Sequence, residues 1–347
     1  MSNPHIYTIF AENFFRAHAE LFAPYLAEAG LDERVLSFPE MEIPLARYVE
    51  LWEILGRRLD PSIGLRIGLQ TSSSEMGAFG HALRYAPTIS LVLRCLSHFM
   101  VVLSQATQVA VEDSGSRLSV AYQVTDPTVV LRRQDAEFSI AAILTLLREV
   151  THNQQLAPTR VDFEHAVPAD QSALREAFAC PIHFNQPDNR LYFSRDVLDM
   201  PVVTADPRLF QALEPFLEAQ RQNRTTATDL LGRLAHHISS SLSSGGASLE
   251  QAANSMGMGP RTLQRRLSEH HLEFSQMVEE VRRSLALAYV AGGDYRLTEI
   301  ALLLGYAEAS SFSRAFRRWT QLTPQQYRKQ ANSTTDDRLD LPPDACE

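Results

Sequence analysis

The sequence predicts an α+β domain with a small, mostly antiparallel sheet, followed by an all-α domain. Between residues 108 and 194, several short segments alternate apolar and polar side chains, which is typical of half-buried strands. After residue 229 this alternation stops, and apolar residues recur at helical spacing between glycines. The length of 347 residues is compatible with two domains of ordinary size.

The α+β domain is predicted to span residues 1–205. Apolar residues at spacings of three and four predict helices in residues 1–60, from Ile89 to Gln105 and from Gln134 to Thr151. The alternating segments predict strands at 108–112, 118–124, 160–164 and 190–194. A Ser-Gly-Ser turn at 114–116 would join the first two strands as a hairpin.

The rest of the chain is predicted to form three further parts. Residues 206–228 are helical and polar, and they are interpreted as the connection between the domains. Residues 229–330 form the all-α domain. Residues 331–347 are polar and acidic and are predicted to be a disordered tail.

The net charge of −9 would by itself argue against a nucleic-acid binder. The charge is unevenly distributed, because residues 229–330 contain 12 Lys and Arg against 9 Asp and Glu. Lys329 is the single lysine of the chain, so nearly every cation is an arginine guanidinium. The acidity therefore belongs to the remainder of the chain and leaves a nucleic-acid role for the all-α domain open.

The sequence provides no pattern for catalysis, a cofactor or a metal. It has three distant cysteines without a CxxC pair and none of the GxSxG, HExxH, P-loop or GxGxxG motifs. The adjacent histidines at 236–237 and 270–271 point in different directions on a helix, so they predict surface or packed side chains. No signal peptide and no membrane span are predicted, which favours a cytoplasmic protein.

The all-α domain contains a diverged internal repeat. Residues 249–267 and 297–316 align so that Ala253 corresponds to Ala301 and Arg265 to Arg314. Each copy has the pattern of helix, glycine turn and helix, so helix-turn-helix motifs are predicted at about 248–269 and 297–319. Gly257 and Gly305 suit the left-handed conformation that ends a first helix.

The second helix of each copy is predicted to read DNA. Leu263 and Leu267, like Phe312 and Phe316, lie four residues apart and would anchor each helix to the core. Arginine binds guanine edges and glutamine binds adenine edges, while small hydroxyl groups and further cations suit phosphates. The predicted DNA-binding residues are Arg261, Thr262, Gln264, Arg265, Ser310, Ser311, Ser313, Arg314, Arg317 and Arg318.

These motifs resemble the DNA-binding domain of the AraC/XylS transcriptional regulators. The resemblance covers about 100 residues and rests on Arg-Thr-Leu-Gln-Arg-Arg-Leu (261–267), Ile-Ala-Leu-Leu-Leu-Gly-Tyr (300–306), Ser-Ser-Phe-Ser-Arg-Ala-Phe (310–316) and Leu-Thr-Pro-Gln-Gln-Tyr-Arg (322–328). It implies base contacts from Arg261, Gln264 and Arg265 in the first copy and from Ser310 and Arg314 in the second. Residues 77–88 resemble the ornithine-utilization-regulator branch of the family.

The resemblance implies a regulator, with RNA polymerase as a partner, whose first domain senses a small molecule or forms a homodimer. Candidate effector-binding residues are His81, Arg84, Tyr85 and Arg132. The expected partner is double-stranded promoter or operator DNA, and the expected output is activation. Two alternatives remain at this point, an effector-independent dimeric regulator and an enzyme with a helical accessory domain.

Overall fold

The computed structural model describes residues 7–126, 129–244, 247–269, 272–293 and 295–329, with side chains for all of these except 226–229. The predicted tail at 331–347 and the histidine pair at 270–271 lie outside the described residues. The chain divides into two compact units, and the main division falls after Gly232. The unit before it is called the N-terminal unit, and the unit after it is called the C-terminal unit.

Nine α-helices precede residue 207 in the described part of the N-terminal unit. They are α1 Glu12–Ala17, α2 Ala19–Phe22, α3 Leu26–Ala29, α4 Leu45–Arg58, α5 Ile63–Gly68, α6 Gly77–Tyr85, α7 Ile89–Leu103, α8 Arg133–Thr151 and α9 Ser172–Phe178. Thr88 caps α7 by accepting a hydrogen bond from the Leu91 amide. The predicted long helices therefore correspond to α7 and α8.

Seven strands occur in the described part of the N-terminal unit. They are β1 Thr8–Phe10, β2 Glu42–Pro44, β3 Thr107–Asp113, β4 Arg117–Val124, β5 Arg160–Asp162, β6 Ile182–His183 and β7 Asn189–Ser194. Strands β1 and β2 form an antiparallel pair, and the other five form a sheet in the order β3-β4-β7-β5-β6. Only β5 and β6 are parallel neighbours, so the α+β class with a mostly antiparallel sheet is confirmed.

An aromatic cluster forms the core between the first helices and α8. Trp52 of α4 stacks on Phe138 of α8 at a centroid distance of 4.8 Å, and Phe14 lies 5.3 Å from Phe138. Phe22 meets Trp52 edge-on at 5.7 Å. Offset and edge-to-face pairs of this kind stabilise a core beyond the area they bury.

Of the predicted connection at 206–228, residues 207–228 lie within one long helix, α10 Pro207–Ser241. Phe210 and Leu217 are buried in the N-terminal unit, and so is the cationic side chain of Arg224. Arg224 donates to the Val101 carbonyl at 2.8 Å and to the Thr8 carbonyl at 3.0 Å. This part of α10 therefore packs as an element of the N-terminal unit.

Helices are the regular secondary structure of the C-terminal unit in its described residues, and they are joined by turns. Beyond the end of α10 its helices are α11 Leu249–Ser255, α12 Pro260–Glu269, α13 Phe274–Gly292, α14 Leu297–Leu303 and α15 Ala309–Thr320. Residues 324–329 are also helical. The predicted all-α domain is thus confirmed, with α11–α12 and α14–α15 as the two helix-turn-helix copies.

Candidate functional site

Both helix-turn-helix copies turn in the same way. The amide of Met258 donates to the Ala253 carbonyl at 3.0 Å, and the amide of Tyr306 donates to the Ala301 carbonyl at 2.9 Å. The glycine before each donor is left-handed, with φ of 70° at Gly257 and 76° at the second copy's Gly305. These are the bonds of a Schellman motif, which satisfies the last carbonyl groups of a helix. The repeat seen in the sequence is therefore also a repeat of backbone geometry.

The anchoring side chains of the recognition helices α12 and α15 are fully buried. Leu263, Leu267, Phe312 and Phe316 are all 0–1% exposed. The opposite faces carry the predicted DNA contacts, and the side chain of Arg265 is 69% exposed. Apolar anchoring on one side thus presents the polar side of each helix to solvent.

The predicted contact residues are held by local pairs on these faces. Arg265 pairs with Glu269 at 3.0 Å, one helical turn further along α12. On α15, Arg314 donates to the Ser311 hydroxyl at 3.3 Å, and Ser310 donates to Glu308 at 2.9 Å. Arg261, Gln264, Arg314, Arg317 and Arg318 are exposed, while Thr262 and Ser313 are half-buried. Exposed ion pairs contribute at most about 1 kcal/mol to stability. The arginine side chains can therefore exchange these partners readily for phosphates or bases.

A polar depression lies between α13 and α15. Besides Ser311, Arg314 and Arg318, its lining includes Glu279, Arg282 and Tyr306. Glu279 accepts hydrogen bonds from Arg318 and, at 3.0 Å, from the Trp319 indole. Arg282 donates to the Leu304 carbonyl at 3.0 Å and stacks over Tyr306. Glu279 and Arg282 cannot be assigned to this surface from the sequence, because only the packing of α13 against α15 brings them there.

The motif that closes the repeat region has a structural role. Thr323 caps the helix at 324–329, since its hydroxyl accepts from the Gln326 amide at 3.3 Å. Tyr327 meets Phe316 edge-on at 5.4 Å. Arg328 donates to the Val290 carbonyl at 3.0 Å near the end of α13. The helix at 324–329 therefore contacts the buried side of α15 through Tyr327 and the end of α13 through Arg328.

The N-terminal unit contains a cavity of about 100 Å³. Its walls come from β1, α1, α4, α7, β4 and α8, and they are mostly apolar, with Phe14, Phe15, Met100 and Phe138 among them. Three carboxyl groups also line it, those of Glu12, Glu75 and Asp135. An apolar cavity with a few polar groups is the usual form of a small-molecule site.

The carboxyl group of Asp135 is buried beside this cavity. Tyr122 donates a hydrogen bond to it at 2.8 Å. Burial raises the pKa of Asp135 to about 7, although the hydrogen bond from Tyr122 and the charge of Arg132 oppose this rise. Burial and the nearby Glu40 likewise raise the pKa of Glu12.

The effector-binding residues predicted from the sequence lie elsewhere in the N-terminal unit. His81 and Tyr85 stack on one face of α6, with parallel rings 6.0 Å apart. Arg84 pairs with Glu149 at 3.3 Å, and Arg132 makes two hydrogen bonds to Glu164. None of the four lines the cavity, although Arg132 lies close enough to influence Asp135. Their role in effector binding stays a prediction.

Among the described residues, no group of three or more His, Cys, Asp or Glu side chains could hold a metal ion. Within the same ranges, no helix is long and apolar enough to cross a membrane.

One unit with two helix-turn-helix copies and anchored recognition helices, and a second unit with a cavity, define a DNA-binding transcriptional regulator. Residues 22–202 match the family described as the arabinose-binding domain of AraC transcription regulator, and residues 252–330 match a helix-turn-helix domain family. The chain belongs to the AraC-type transcriptional regulators. Double-stranded DNA is its partner, and the enzyme alternative is excluded because this family and its relatives are regulators.

The sequence similarity to individual relatives extends over both units. The chain is 30% identical to the helix-turn-helix transcriptional regulator VirS of Mycobacterium tuberculosis, over 88% of this chain and 90% of that protein. It is 28% identical to the ornithine utilization regulator of Pseudomonas aeruginosa, over 78% and 79%. The crystal structure of the transcriptional regulator CdpR from Pseudomonas aeruginosa aligns with 90% of this chain and 98% of its own, with 21% identity and a TM-score of 0.43.

Proposed function

We propose that α12 and α15 enter adjacent major-groove segments of an operator, where Arg265 and Arg314 each read a base pair. The observation that carries this proposal is the equivalence of the two arginines. They occupy matching positions of a repeated motif, on exposed faces of helices whose opposite faces are buried. A guanidinium can bind guanine O6 and N7 together, which makes arginine a strong reader of sequence.

The other predicted residues divide by chemistry into base and phosphate contacts. We assign base contacts to Arg261, Gln264 and Ser310, because these residues share the exposed helix faces with Arg265 and Arg314. Contacts to phosphates are assigned to Thr262, Ser311, Ser313, Arg317 and Arg318. Arg282 joins this group, since it lines the same depression as Arg318.

Replacement of Arg265 or Arg314 by alanine tests the assignment. Each change should cost about 1–3 kcal/mol of binding to the cognate operator, because a bidentate base contact is lost. The loss should be smaller on DNA with a different base pair at the contacted position. Fluorescence anisotropy with operator, single-substitution and scrambled duplexes measures these differences.

The control is Arg175→Ala, which removes an exposed arginine from α9 of the N-terminal unit. Its DNA affinity should match that of the wild type. If Arg265→Ala and Arg314→Ala lost the same affinity on operator and scrambled DNA, the arginines would be phosphate contacts and the base-reading proposal would be wrong.

We further propose that the N-terminal unit binds a small-molecule effector. The effector would control the DNA-binding activity of this protein, which acts as a transcriptional activator in the cytoplasm. A ligand that binds two arrangements of the protein with different affinity shifts their populations. The cavity supports this proposal because it gives the unit a place for a ligand. A homodimer and a contact with RNA polymerase complete the proposed mechanism.

The alternative is a regulator whose N-terminal unit only dimerises. Operator affinity and transcription from the operator's promoter, measured with RNA polymerase in the presence and absence of candidate effectors, separate the two. An effector that changes both supports the proposal. Unchanged transcription with every compound that binds the cavity, together with a dimer in analytical ultracentrifugation, would favour the alternative.

A further inference from the structure

We propose that the cavity of the N-terminal unit selects a small molecule with an apolar body and a protonated amine, and rejects carboxylates. This inference rests on the effector-binding function proposed above and adds the chemical class of the ligand. Its starting point is the combination of apolar walls with Glu12, Glu75 and Asp135. Among the described residues that line the cavity there is no Lys, Arg or His.

The walls favour the body of such a ligand. Six aromatic rings line the cavity, those of Phe10, Phe14, Phe15, Tyr48, Tyr122 and Phe138. Aromatic faces attract cations, most strongly where water is excluded. Both the rings and the carboxyl groups therefore favour a positive charge, and neither favours a negative one.

Two of the three carboxyl groups are suited to meet an ammonium group. Asp135 is 1% exposed and, among the described residues, accepts a hydrogen bond from Tyr122 only. Among the residues that the structure describes, no side chain or backbone group forms a hydrogen bond or ion pair with the carboxylate of Glu12. Glu75 is already engaged, because it accepts from the Thr71 hydroxyl and the Ser72 amide and lies 3.3 Å from His18.

A carboxylate ligand would meet the opposite situation. It would lose its hydration on entering an apolar cavity, and no cation on the walls would replace that hydration. The charges of Glu12 and Asp135 would also repel it. An ammonium ligand instead neutralises a buried carboxylate and forms a charge-assisted hydrogen bond.

A series of three compounds with the same six-carbon chain tests the charge preference. We expect 1-hexylamine to bind at least tenfold more tightly than 1-hexanol or hexanoate at pH 8, as measured by isothermal titration calorimetry on the full chain. Equal or tighter binding of hexanoate or hexanol would overturn the proposal, and so would the absence of binding by all three.

Two variants locate the partner of the amine. Asp135→Asn should weaken hexylamine binding about tenfold or more and leave hexanol binding unchanged, which also shows that the cavity is intact. Glu12→Gln should weaken hexylamine binding in the same direction. The matched control Glu176→Gln changes an exposed carboxylate on α9 and should have no effect. Full hexylamine affinity in both cavity variants would contradict the assignment.

The pH dependence gives an independent readout. Burial raises the pKa of Asp135 to about 7, so hexylamine should bind more tightly at pH 8 than at pH 6, and Asp135→Asn should lose this difference. The titratable groups that influence Asp135 are Tyr48 and Glu53 on α4, Tyr122 on β4, Arg132 before α8 and Glu164 after β5. Affinity that is flat over this range in the wild type would contradict the role of Asp135.

Operator affinity in the presence of the same compounds separates this inference from the effector function. Hexylamine that binds the cavity and leaves DNA affinity unchanged would support the ligand class and contradict the effector role. Hexanol or hexanoate that binds instead and changes DNA affinity would support the effector role and overturn the ligand class.

Discussion

At the scale of single residues, Arg224 holds together parts of the chain that are far apart in sequence. Its guanidinium bonds to Val101 and Thr8, pairs with Glu42 at 3.0 Å and lies 4.4 Å from the Phe10 ring. Burial lowers its pKa, which reflects the cost of removing the charge from water. One side chain thus joins α10 to α7 and to both strands of the β1–β2 pair.

Arg224→Lys should destabilise the protein although it keeps the charge. A lysine has a single ammonium group and cannot reach the two carbonyls and the carboxylate together, so buried acceptors lose their donors. Each unsatisfied buried group costs about 1–3 kcal/mol, and we expect a loss of this size in the free energy of unfolding. Urea unfolding followed by circular dichroism measures it.

Arg208→Lys is the matched control, since Arg208 is an exposed residue of the same helix. A surface change of this kind alters stability by less than about 0.5 kcal/mol. Equal stability of the two variants would mean that the bonds of Arg224 contribute nothing in solution.

The two kinds of arginine also show what the sequence can predict at this scale. Arg265 and Arg314 are predicted to contact DNA because a repeated motif places them on matching helix faces, and both side chains are exposed. From the sequence, Arg224 belongs to a polar connection, because arginines are mostly exposed. Its hydrogen-bond partners lie more than 100 positions away. Local sequence contains no information about such distant carbonyl acceptors.

At the scale of elements, the two glycine turns look alike in sequence and differ in their surroundings. Both glycines have a left-handed φ. A Cβ atom added at Gly305 would lie 2.5 Å from the Leu242 carbonyl oxygen, whereas a Cβ added at Gly257 would meet no atom within 4 Å. The second turn therefore combines a conformational and a steric requirement for glycine.

Gly305→Ala should consequently cost more stability than Gly257→Ala. Left-handed backbone costs an L-residue about 1–2 kcal/mol, which is the expected loss for Gly257→Ala. Overpacking adds about 1–3 kcal/mol at Gly305. Parallel denaturant unfolding of both variants, with hydrogen exchange of the Tyr306 amide as a local probe, checks the order. Equal losses would show that Leu242 moves aside without cost.

Element length accounts for part of what the sequence predicts in the N-terminal unit, although the three-residue β5 is also predicted, within 160–164. Helices α7 and α8 and strands β3, β4 and β7 have six or more residues, so their periodicity is visible. Strands β1 and β2 have three residues each and show no period. The cavity could not be predicted either. Its walls combine the short elements β1 and α1 with helices that are distant in sequence.

At the scale of the whole molecule, the distribution of charge matters more than its total. The net charge is −9, yet residues 229–330 have a net charge of +3 from 12 cations and 9 anions. We therefore expect attraction to DNA to depend on a few local arginines. Phosphate contacts release counterions, so operator affinity should fall as salt concentration rises.

Arg318→Ala should weaken binding to operator and scrambled DNA by the same factor. Arg318 pairs with Glu279 on the rim of the depression and is assigned to a phosphate. Loss of one phosphate contact should reduce the slope of log affinity against log salt by about 1. Anisotropy titrations at four salt concentrations measure the slope. A loss confined to the operator would assign Arg318 to a base instead.

Lys329 gives the scarcity of lysine a practical consequence. It is exposed at the end of the helix at 324–329, which Thr323 caps and Arg328 fastens to α13. Apart from the α-amino group, it is the one primary amine of the chain. Amine-reactive dyes and cross-linkers would therefore label the DNA-binding unit at a single side chain and leave every arginine assigned to DNA unmodified. The native sequence thus already contains a site for attaching a spectroscopic reporter of operator binding.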